Sequence, residues 1–205
     1  MKQLWPEHWR IELHFKYFFL FIFFFTGCDI FLTRPADNPS TNQSINPPAT
    51  TPEQLIENFK NAISKKDPKE YLVFFSDTVT ANKNFIFTPH QKVYLQFASI
   101  FSAWNKNYEE QYFTTVKTAM NPSANPFLIF ENSQLIKFQS DSALFTTDYK
   151  LFLPHTNQNI ITEFKGRSHF YFINSKTKNW VCYRWDDFET AKDSSWSLCK
   201  GFFSK

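Results

Sequence analysis

The feature that most constrains the fold is a change in hydrophobic periodicity near residue 127. Before it, apolar residues recur every three or four positions, as at Leu55, Phe59 and Ile63, which predicts amphipathic helices. After it, apolar and polar residues alternate, as in the run from Phe164 to Phe172, which predicts strands with one buried face. Helices followed by long strands are typical of an α+β fold, with the helices packed on one face of a strongly curved antiparallel sheet.

Three similar motifs predict where helices begin. Each has Thr or Asp, then Pro, and then Gln or Glu two positions after the proline. The first side chain caps the helix, the proline has no amide hydrogen to leave unbonded, and the Gln or Glu side chain can bond back to the cap residue. The motifs are Thr51-Pro-Glu-Gln54, Asp67-Pro-Lys-Glu70 and Thr88-Pro-His-Gln91. We expect the third helix to continue to Trp104, and a fourth to run from about Tyr108 to Met120.

The second half predicts strands from Phe127, over residues 143–153, over residues 162–172, from Trp180, and from Ser195 to Phe203. Alternation places Tyr149 and Phe170 on the inward face of the sheet. Trp180 and Trp185 are an odd number of positions apart, so both can face inward only if a β-bulge lies between them.

Residues 1–27 predict a signal peptide. Lys2, Arg10 and Lys16 precede an apolar run that is about half of the ~20 residues needed to span a bilayer. Residues 28–51 are rich in Pro, Asn and Thr, which predicts a disordered linker. Residues 52–205 are then the folded domain.

The sequence Phe25-Thr-Gly-Cys28 resembles the lipobox of bacterial lipoproteins. The resemblance implies that Cys28 carries a diacylglycerol thioether, with fatty acids such as palmitate, and becomes the N-terminus after cleavage. It also implies a membrane anchor in the bacterial cell envelope, with the domain outside the cytoplasm. The alternatives are a signal anchor and a cysteine buried after a core segment.

Composition excludes several kinds of function. The net charge is +3, without the concentrated basic face that nucleic acids require. Three glycines are too few for a phosphate-binding loop or a dinucleotide fingerprint. The mature chain has three histidines without metal-ligand spacing, at positions His90, His155 and His169, so neither a metal nor a cofactor is predicted.

Cys182 and Cys199 remain as a pair if Cys28 is acylated. An oxidising compartment allows a disulfide between them. The alternative is two separate buried thiols.

The helices and the strand sequences together resemble the nuclear transport factor 2-like superfamily (NTF2-like, cystatin-like or SnoaL-like). The sequences that carry the resemblance are Phe164-Lys-Gly-Arg-Ser-His-Phe170, Trp180-Val-Cys-Tyr-Arg-Trp185 and the segment from Ser195 to Phe203. The resemblance implies a cone-shaped barrel with a cavity at its wide end. Candidate cavity-lining residues are Trp104, Tyr149, Phe170 and Trp180.

Some members of that superfamily are isomerases or dehydratases that use an acid inside the cone, since proton transfer needs a buried carboxylate near the substrate. Alternation turns Asp148, Glu163 and His169 outward, so we expect no inward carboxylate beside Tyr149. Two acids at a strand end are expected to be solvated or ion-paired, namely Asp186 and Asp187.

No catalytic residue is therefore predicted. The favoured function is non-catalytic binding of a small apolar ligand in the cone or of a protein partner. The outer sheet face would bind that partner and is also a candidate homodimer surface; its residues are Lys165, Arg167, His169 and Tyr171. The alternative is an isomerase- or dehydratase-type enzyme, which requires a buried acid beside Tyr149.

Overall fold

The computed structural model describes residues 46–138 and 140–204. The predicted signal peptide, Cys28 and the linker up to residue 45 lie outside these residues. The described elements are α1 (Pro52–Ser64), α2 (Pro68–Val73), α3 (Thr78–Ala81), β1 (Ile86–Thr88), α4 (Gln91–Gln96), α5 (Ala98–Phe101), α6 (Lys106–Ala119), β2 (Phe127–Phe138), β3 (Ser142–Phe152), β4 (Glu163–Asn174), β5 (Trp180–Glu189) and α7 (Trp196–Phe203).

Two of the three predicted helix starts are confirmed. The Thr51 side chain accepts a hydrogen bond from the Gln54 amide, and the Asp67 side chain accepts from the amides of Lys69 and Glu70. The third start is wrong, because Thr88 ends β1 and pairs with Asp186 of β5. The helix there begins only at Gln91, without a side-chain cap.

The predicted third helix is also shorter than expected. It is divided into α4 and α5, which meet at Phe97 (φ −127°, ψ 37°). Trp104 lies after α5, outside both helices. The fourth helix is confirmed as α6, whose cap is Asn105.

The sheet has the strand order β1-β5-β4-β3-β2. Burial alternates along β3 and β4, as the sequence predicts. Four of the strands are antiparallel neighbours, but β1 runs parallel to β5, so the sheet is mixed. Three residues of β1 are too few to show alternation in the sequence. The fold is the predicted α+β arrangement of helices on a curled sheet.

The predicted bulge is present in β5. Tyr171 pairs with Arg184 but the next residue, Phe172, pairs with Cys182, so one residue of β5 is extra. Trp180 and Trp185 are consequently both buried.

The last predicted strand is wrong, because Trp196–Phe203 forms α7. The Ser195 side chain caps this helix by accepting from the Leu198 amide. Every residue from Trp196 to Gly201 is buried. A helix buried on all sides has no amphipathic period, so its pattern does not distinguish it from a buried strand.

The sequence predicts that the folded domain begins at Pro52. In the structure, the folded part begins earlier in the chain. Asn46 and Ala49 are buried. The Trp180 amide donates to the Ala49 carbonyl at 2.7 Å, and Asn58 Nδ2 donates to the Pro47 carbonyl at 2.7 Å. Residues 46–51 therefore pack on the domain instead of belonging to a disordered linker.

Gly166 is required by close packing inside β4. A Cβ at this position would lie 2.6 Å from the Phe188 carbonyl oxygen and would also meet the Tyr149 phenol. We expect Gly166→Ala to lower the free energy of unfolding by about 2 kcal/mol, because the backbone of β5 has to move. Urea unfolding measures this, with Lys165→Ala on the exposed face as a control that leaves the midpoint unchanged. Equal midpoints for Gly166→Ala and the unmodified protein would contradict the packing.

Candidate functional site

Asp187 brings a carboxylate into the interior of the fold. The bulge in β5 shifts the alternation, so that Trp185 and Asp187 both face inward. Asp187 Oδ1 accepts from the Tyr149 hydroxyl at 2.7 Å, and Oδ2 accepts from the Ser197 amide at 2.7 Å and its hydroxyl at 2.5 Å. The expectation that no inward carboxylate accompanies Tyr149 is therefore wrong, as is the expectation that Asp187 is solvated or ion-paired.

The environment of Asp187 raises the pKa of its carboxyl group. Desolvation by burial raises this pKa from 3.8 to about 6, against the opposing hydrogen bonds from Ser197 and Tyr149. A carboxyl group with this pKa beside a tyrosine is the arrangement that the enzyme alternative requires.

A buried ion pair forms the second part of the interior. Lys200 Nζ is bonded to Glu109 Oε1, and neither side chain is exposed to solvent. Trp104 Nε1 donates to the same oxygen at 2.7 Å, and the Tyr71 hydroxyl donates to the other at 2.8 Å. The sequence pattern does not reveal this pair, because it predicts a strand at residue 200 instead of a helix.

Aromatic rings surround the Lys200 ammonium group. Its nitrogen lies 4.0 Å from the centre of a Trp185 ring and 4.1 Å from that of Phe87, within the range of cation–π attraction. Burial lowers the pKa of Lys200 to about 8, although the charge of Glu109 opposes the shift. The Glu109 carboxylate and the surrounding rings both favour the charged form of Lys200, against the cost of its burial.

Trp196 completes the interior contacts made by α7. Its amide donates to the Tyr149 hydroxyl at 2.6 Å, and its indole Nε1 donates to the Tyr112 hydroxyl at 3.0 Å. These bonds form two clusters, and α7 contributes residues to both. We call the two clusters together the interior network: Tyr71, Trp104, Glu109 and Lys200 in one, and Tyr112, Tyr149, Asp187, Trp196 and Ser197 in the other. Three residues of α7 therefore bond to interior groups of other elements: Trp196 to Tyr149 and Tyr112, Ser197 to Asp187, and Lys200 to Glu109.

The two cysteines of the domain are separate buried thiols. Cys182 Sγ donates to the Arg184 carbonyl at 3.2 Å, whereas Cys199 Sγ lies 3.4 Å from the Tyr112 hydroxyl. The candidate disulfide between them is not formed in the structure. Burial raises the pKa of Cys199 to about 12, which makes it a poor nucleophile.

The acids of the outer sheet face are ion-paired, which was expected as one possibility for Asp186. Asp148 accepts from Arg167 Nε at 2.8 Å, and Asp186 accepts from Arg184 Nε at 2.8 Å. The hydrogen bond from Arg167 lowers the pKa of Asp148. His169 also lies on the outer face, with its ring centre 4.7 Å from that of Phe188.

A cavity of about 400 Å³ lies elsewhere, between α1, α2 and the start of β5. We call it the Trp180 cavity. Its apolar wall consists of Ala49, Leu55, Phe59, Phe74, Phe75, Trp180 and Val181. It reaches the surface at Val73 and Thr177, which are both exposed.

Only one of the four candidate cavity residues lines this cavity. Trp180 does so, whereas Trp104, Tyr149 and Phe170 are buried in the core. The four side chains therefore do not converge on the Trp180 cavity. Alternation separates inward from outward residues but does not show which inward residues border an open space.

The described residues contain neither a cluster of metal-ligating side chains nor a membrane-spanning helix. Between residues 46 and 204, with Gln139 left aside, no group of three or more His, Cys, Asp or Glu side chains could hold a metal ion. In the same part of the chain, no helix is both long and apolar enough to cross a membrane.

Comparisons with known proteins found similarity in structure alone. No protein-family model matches the sequence, and no curated protein matches it significantly. An NTF2-like superfamily protein from Salmonella enterica has a TM-score of 0.48 and 13% identity, with 68% of this chain and 88% of that chain covered. A ketosteroid isomerase-like protein from Erwinia carotovora has a TM-score of 0.46 and 10% identity, with 68% and 93% covered. A cystatin-like domain of unknown function from Nostoc punctiforme has a TM-score of 0.43 and 13% identity, with 67% and 74% covered.

Proposed function

We propose that this protein is a lipid-anchored protein of the bacterial cell envelope whose domain lies outside the cytoplasm and binds a small apolar ligand without catalysis. Cys28 is the proposed site of lipid attachment, and the Trp180 cavity is the proposed ligand site. The observation that carries the non-catalytic role is that α7 takes up the hydrogen-bonding groups of the interior network.

The geometry of Asp187 supports this role. A general base has to reach the proton that it removes, directly or through one water molecule. Both oxygens of Asp187 already accept hydrogen bonds, from Tyr149 and from Ser197. Tyr149 is engaged on both sides as well, since its hydroxyl also accepts from the Trp196 amide. A substrate would have to displace α7 before it could contact either group.

The Trp180 cavity supports ligand binding. Its volume of about 400 Å³ lies within the range of roughly 300–1,000 Å³ that is usual for small-molecule sites. Aromatic and aliphatic side chains form most of its wall, and several polar groups lie around it, including Asn58, Thr177 and Asn179. An apolar ligand would gain by leaving water, and the polar groups would orient its end.

Val73 offers a direct test of this site, because it borders the cavity and is 56% exposed. Val73→Lys places a charge at the opening with little effect on the fold. We expect it to weaken the binding of a fluorescent apolar probe such as N-phenylnaphthylamine by roughly tenfold, measured by titration. The matched control is Leu95→Lys, since Leu95 is 72% exposed but lies in α4, outside the cavity. Equal affinities for both variants would contradict the site.

The anchor is tested by metabolic labelling with a fatty acid. We expect label in the unmodified protein and none in Cys28→Ala. Equal labelling of both would reject acylation at Cys28.

The enzyme alternative is favoured by one observation, the raised pKa of Asp187 beside Tyr149. It requires α7 to leave the interior during turnover. On the non-catalytic proposal, α7 stays in place when an apolar ligand binds.

The protein-partner alternative rests on the outer sheet face. Lys165 and Arg167 are exposed there, with His169 and Tyr171 partly exposed. Phe188, on the same face, is 40% exposed. Native mass spectrometry distinguishes the cases, because a stable homodimer favours this face and a co-purified apolar molecule favours the Trp180 cavity.

A further inference from the structure

One end of the domain contains the point at which the chain continues toward Cys28. The backbone of Ala49 is bonded to Trp180, directly after the turn between β4 and β5 (residues 175–179). Asn46, Thr177 and Asn179 border the same Trp180 cavity. The exit of the chain, the opening of the cavity and this turn therefore share one end of the domain.

Three lysines lie on this end. Lys176 and Lys178 are exposed on the turn, and Lys83 is exposed just after α3. The turn is joined to α3, because the Lys176 amide donates to the Thr80 carbonyl at 2.9 Å and Lys176 Nζ donates to the Val79 carbonyl at 3.1 Å. Val79 is 80% exposed between these lysines. We call Val79, Lys83, Lys176 and Lys178 the tether-end surface.

The neighbouring carboxylates leave this surface positive. Asp77 is paired with Lys106 at 2.9 Å, and Glu53 is paired with Lys137 at 2.7 Å. Glu70 accepts from Asn46 Nδ2 at 2.9 Å. Asp141 lies in the adjacent turn, where its carbonyl accepts from the Asn174 amide. The Asn46 amide is uncharged and does not neutralise Glu70, so three lysines, Asp141 and Glu70 together give a charge of +1 for this region (3 − 2).

We propose that the tether-end surface docks on an anionic phospholipid bilayer. The lysines would lie against lipid phosphates and Val79 would enter the headgroup region, which is how basic and apolar side chains together hold a protein at a membrane surface. The inference rests on the proposed anchor at Cys28, which keeps the domain near the bilayer at a high effective concentration. Docking would also direct the opening of the Trp180 cavity toward the lipid.

The test uses the full-length protein purified from membranes and reconstituted in two kinds of vesicle. One contains about 30% phosphatidylglycerol in phosphatidylcholine, and the other contains phosphatidylcholine alone. Hydrogen exchange is followed in peptides that cover residues 78–83 and 175–180. We expect slower exchange in both peptides on the anionic vesicles only, and loss of this protection at about 1 M salt.

Charge reversal makes the test specific. Each lysine at an anionic surface contributes roughly a fivefold factor in binding, so Lys83→Glu, Lys176→Glu and Lys178→Glu together should weaken docking at least a hundredfold. The control reverses three other exposed lysines with the same change in net charge: Lys65, Lys117 and Lys192. Equal exchange on both vesicles, or equal loss of protection in both variants, would overturn the proposal.

The two proposals fail separately. The mass of the peptide that contains Cys28 reports acylation in the same sample. An acylated protein without protection on anionic vesicles refutes docking and leaves the anchor standing. If Cys28 is unmodified, the anchor fails, and co-sedimentation of the protein with the two vesicle types decides the docking.

Discussion

Replacing Lys200 by methionine is expected to lower the free energy of unfolding by about 3–5 kcal/mol. Methionine retains much of the apolar stem that packs against Phe87 and Trp185 but removes the ammonium group. Glu109 then remains buried without a cation, and burying an unpaired charge costs several kcal/mol. Urea unfolding at pH 7 followed by tryptophan fluorescence measures the change.

A double variant separates the charge from the packing. Glu109→Gln combined with Lys200→Met removes both charges. The glutamine oxygen can still accept from Trp104, and its amide nitrogen can donate to the Tyr71 hydroxyl oxygen. We expect it to recover most of the lost stability, because replacing a whole buried ion pair is often nearly neutral. Lys92→Met, which breaks the exposed pair with Asp193, should leave the midpoint unchanged. A double variant as unstable as Lys200→Met would mean that packing, and not the unpaired charge, causes the loss.

Asp187 is expected to make the protein less stable as the pH rises from about 4 to about 6. Its folded pKa of about 6 is above the ordinary value of 3.8, so the folded state binds the proton more tightly than the unfolded state does. The stabilisation is present below about pH 4 and is lost as the pH passes the folded value. The difference between the ordinary and the folded pKa of Asp187 corresponds to about 3 kcal/mol of folding free energy, which is fully present only well below pH 4.

The measurement compares the unmodified protein with Asp187→Asn by urea unfolding at several pH values. Asparagine does not titrate, so the difference between the two free energies should fall by about 2 kcal/mol between about pH 4 and pH 6.5. Asp77 does not obscure this window, because its pKa is lowered to about 2 and its contribution changes only at lower pH. A difference that stays constant with pH would show that Asp187 titrates at its ordinary pKa.

The sequence predicts the sheet well because one face of β3 and β4 is buried and the other is not. The same alternation requires a bulge if Trp180 and Trp185 both lie inside, and the structure has that bulge. The alternation misses the consequence for Asp187, which the same bulge turns inward. A bulge reverses the sheet face to which every later residue of the strand points. An acid two positions after a tryptophan gives no local sign of this change in the sequence.

The interior network was beyond prediction for a different reason. Lys200 and Glu109 are 91 positions apart, and a lysine or glutamate is ordinarily exposed. Burial on all sides hides the helical period of α7, so the sequence places Ser197 and Lys200 in a strand. The Trp180 cavity likewise depends on residues 46–49, whose composition resembles a linker although their backbone is bonded to Asn58 and Trp180.

The proposed function depends most on where an apolar ligand binds. Photo-crosslinking the folded protein with a diazirine-bearing alkyl probe, followed by mass mapping, locates that site directly. We predict crosslinks to the peptides that contain Val73, Thr177 and Trp180, and their loss in Val73→Lys. Crosslinks to the peptides that contain Tyr149 and Asp187 would contradict ligand binding in the Trp180 cavity. They would show that the interior opens to ligands and that α7 does not close it.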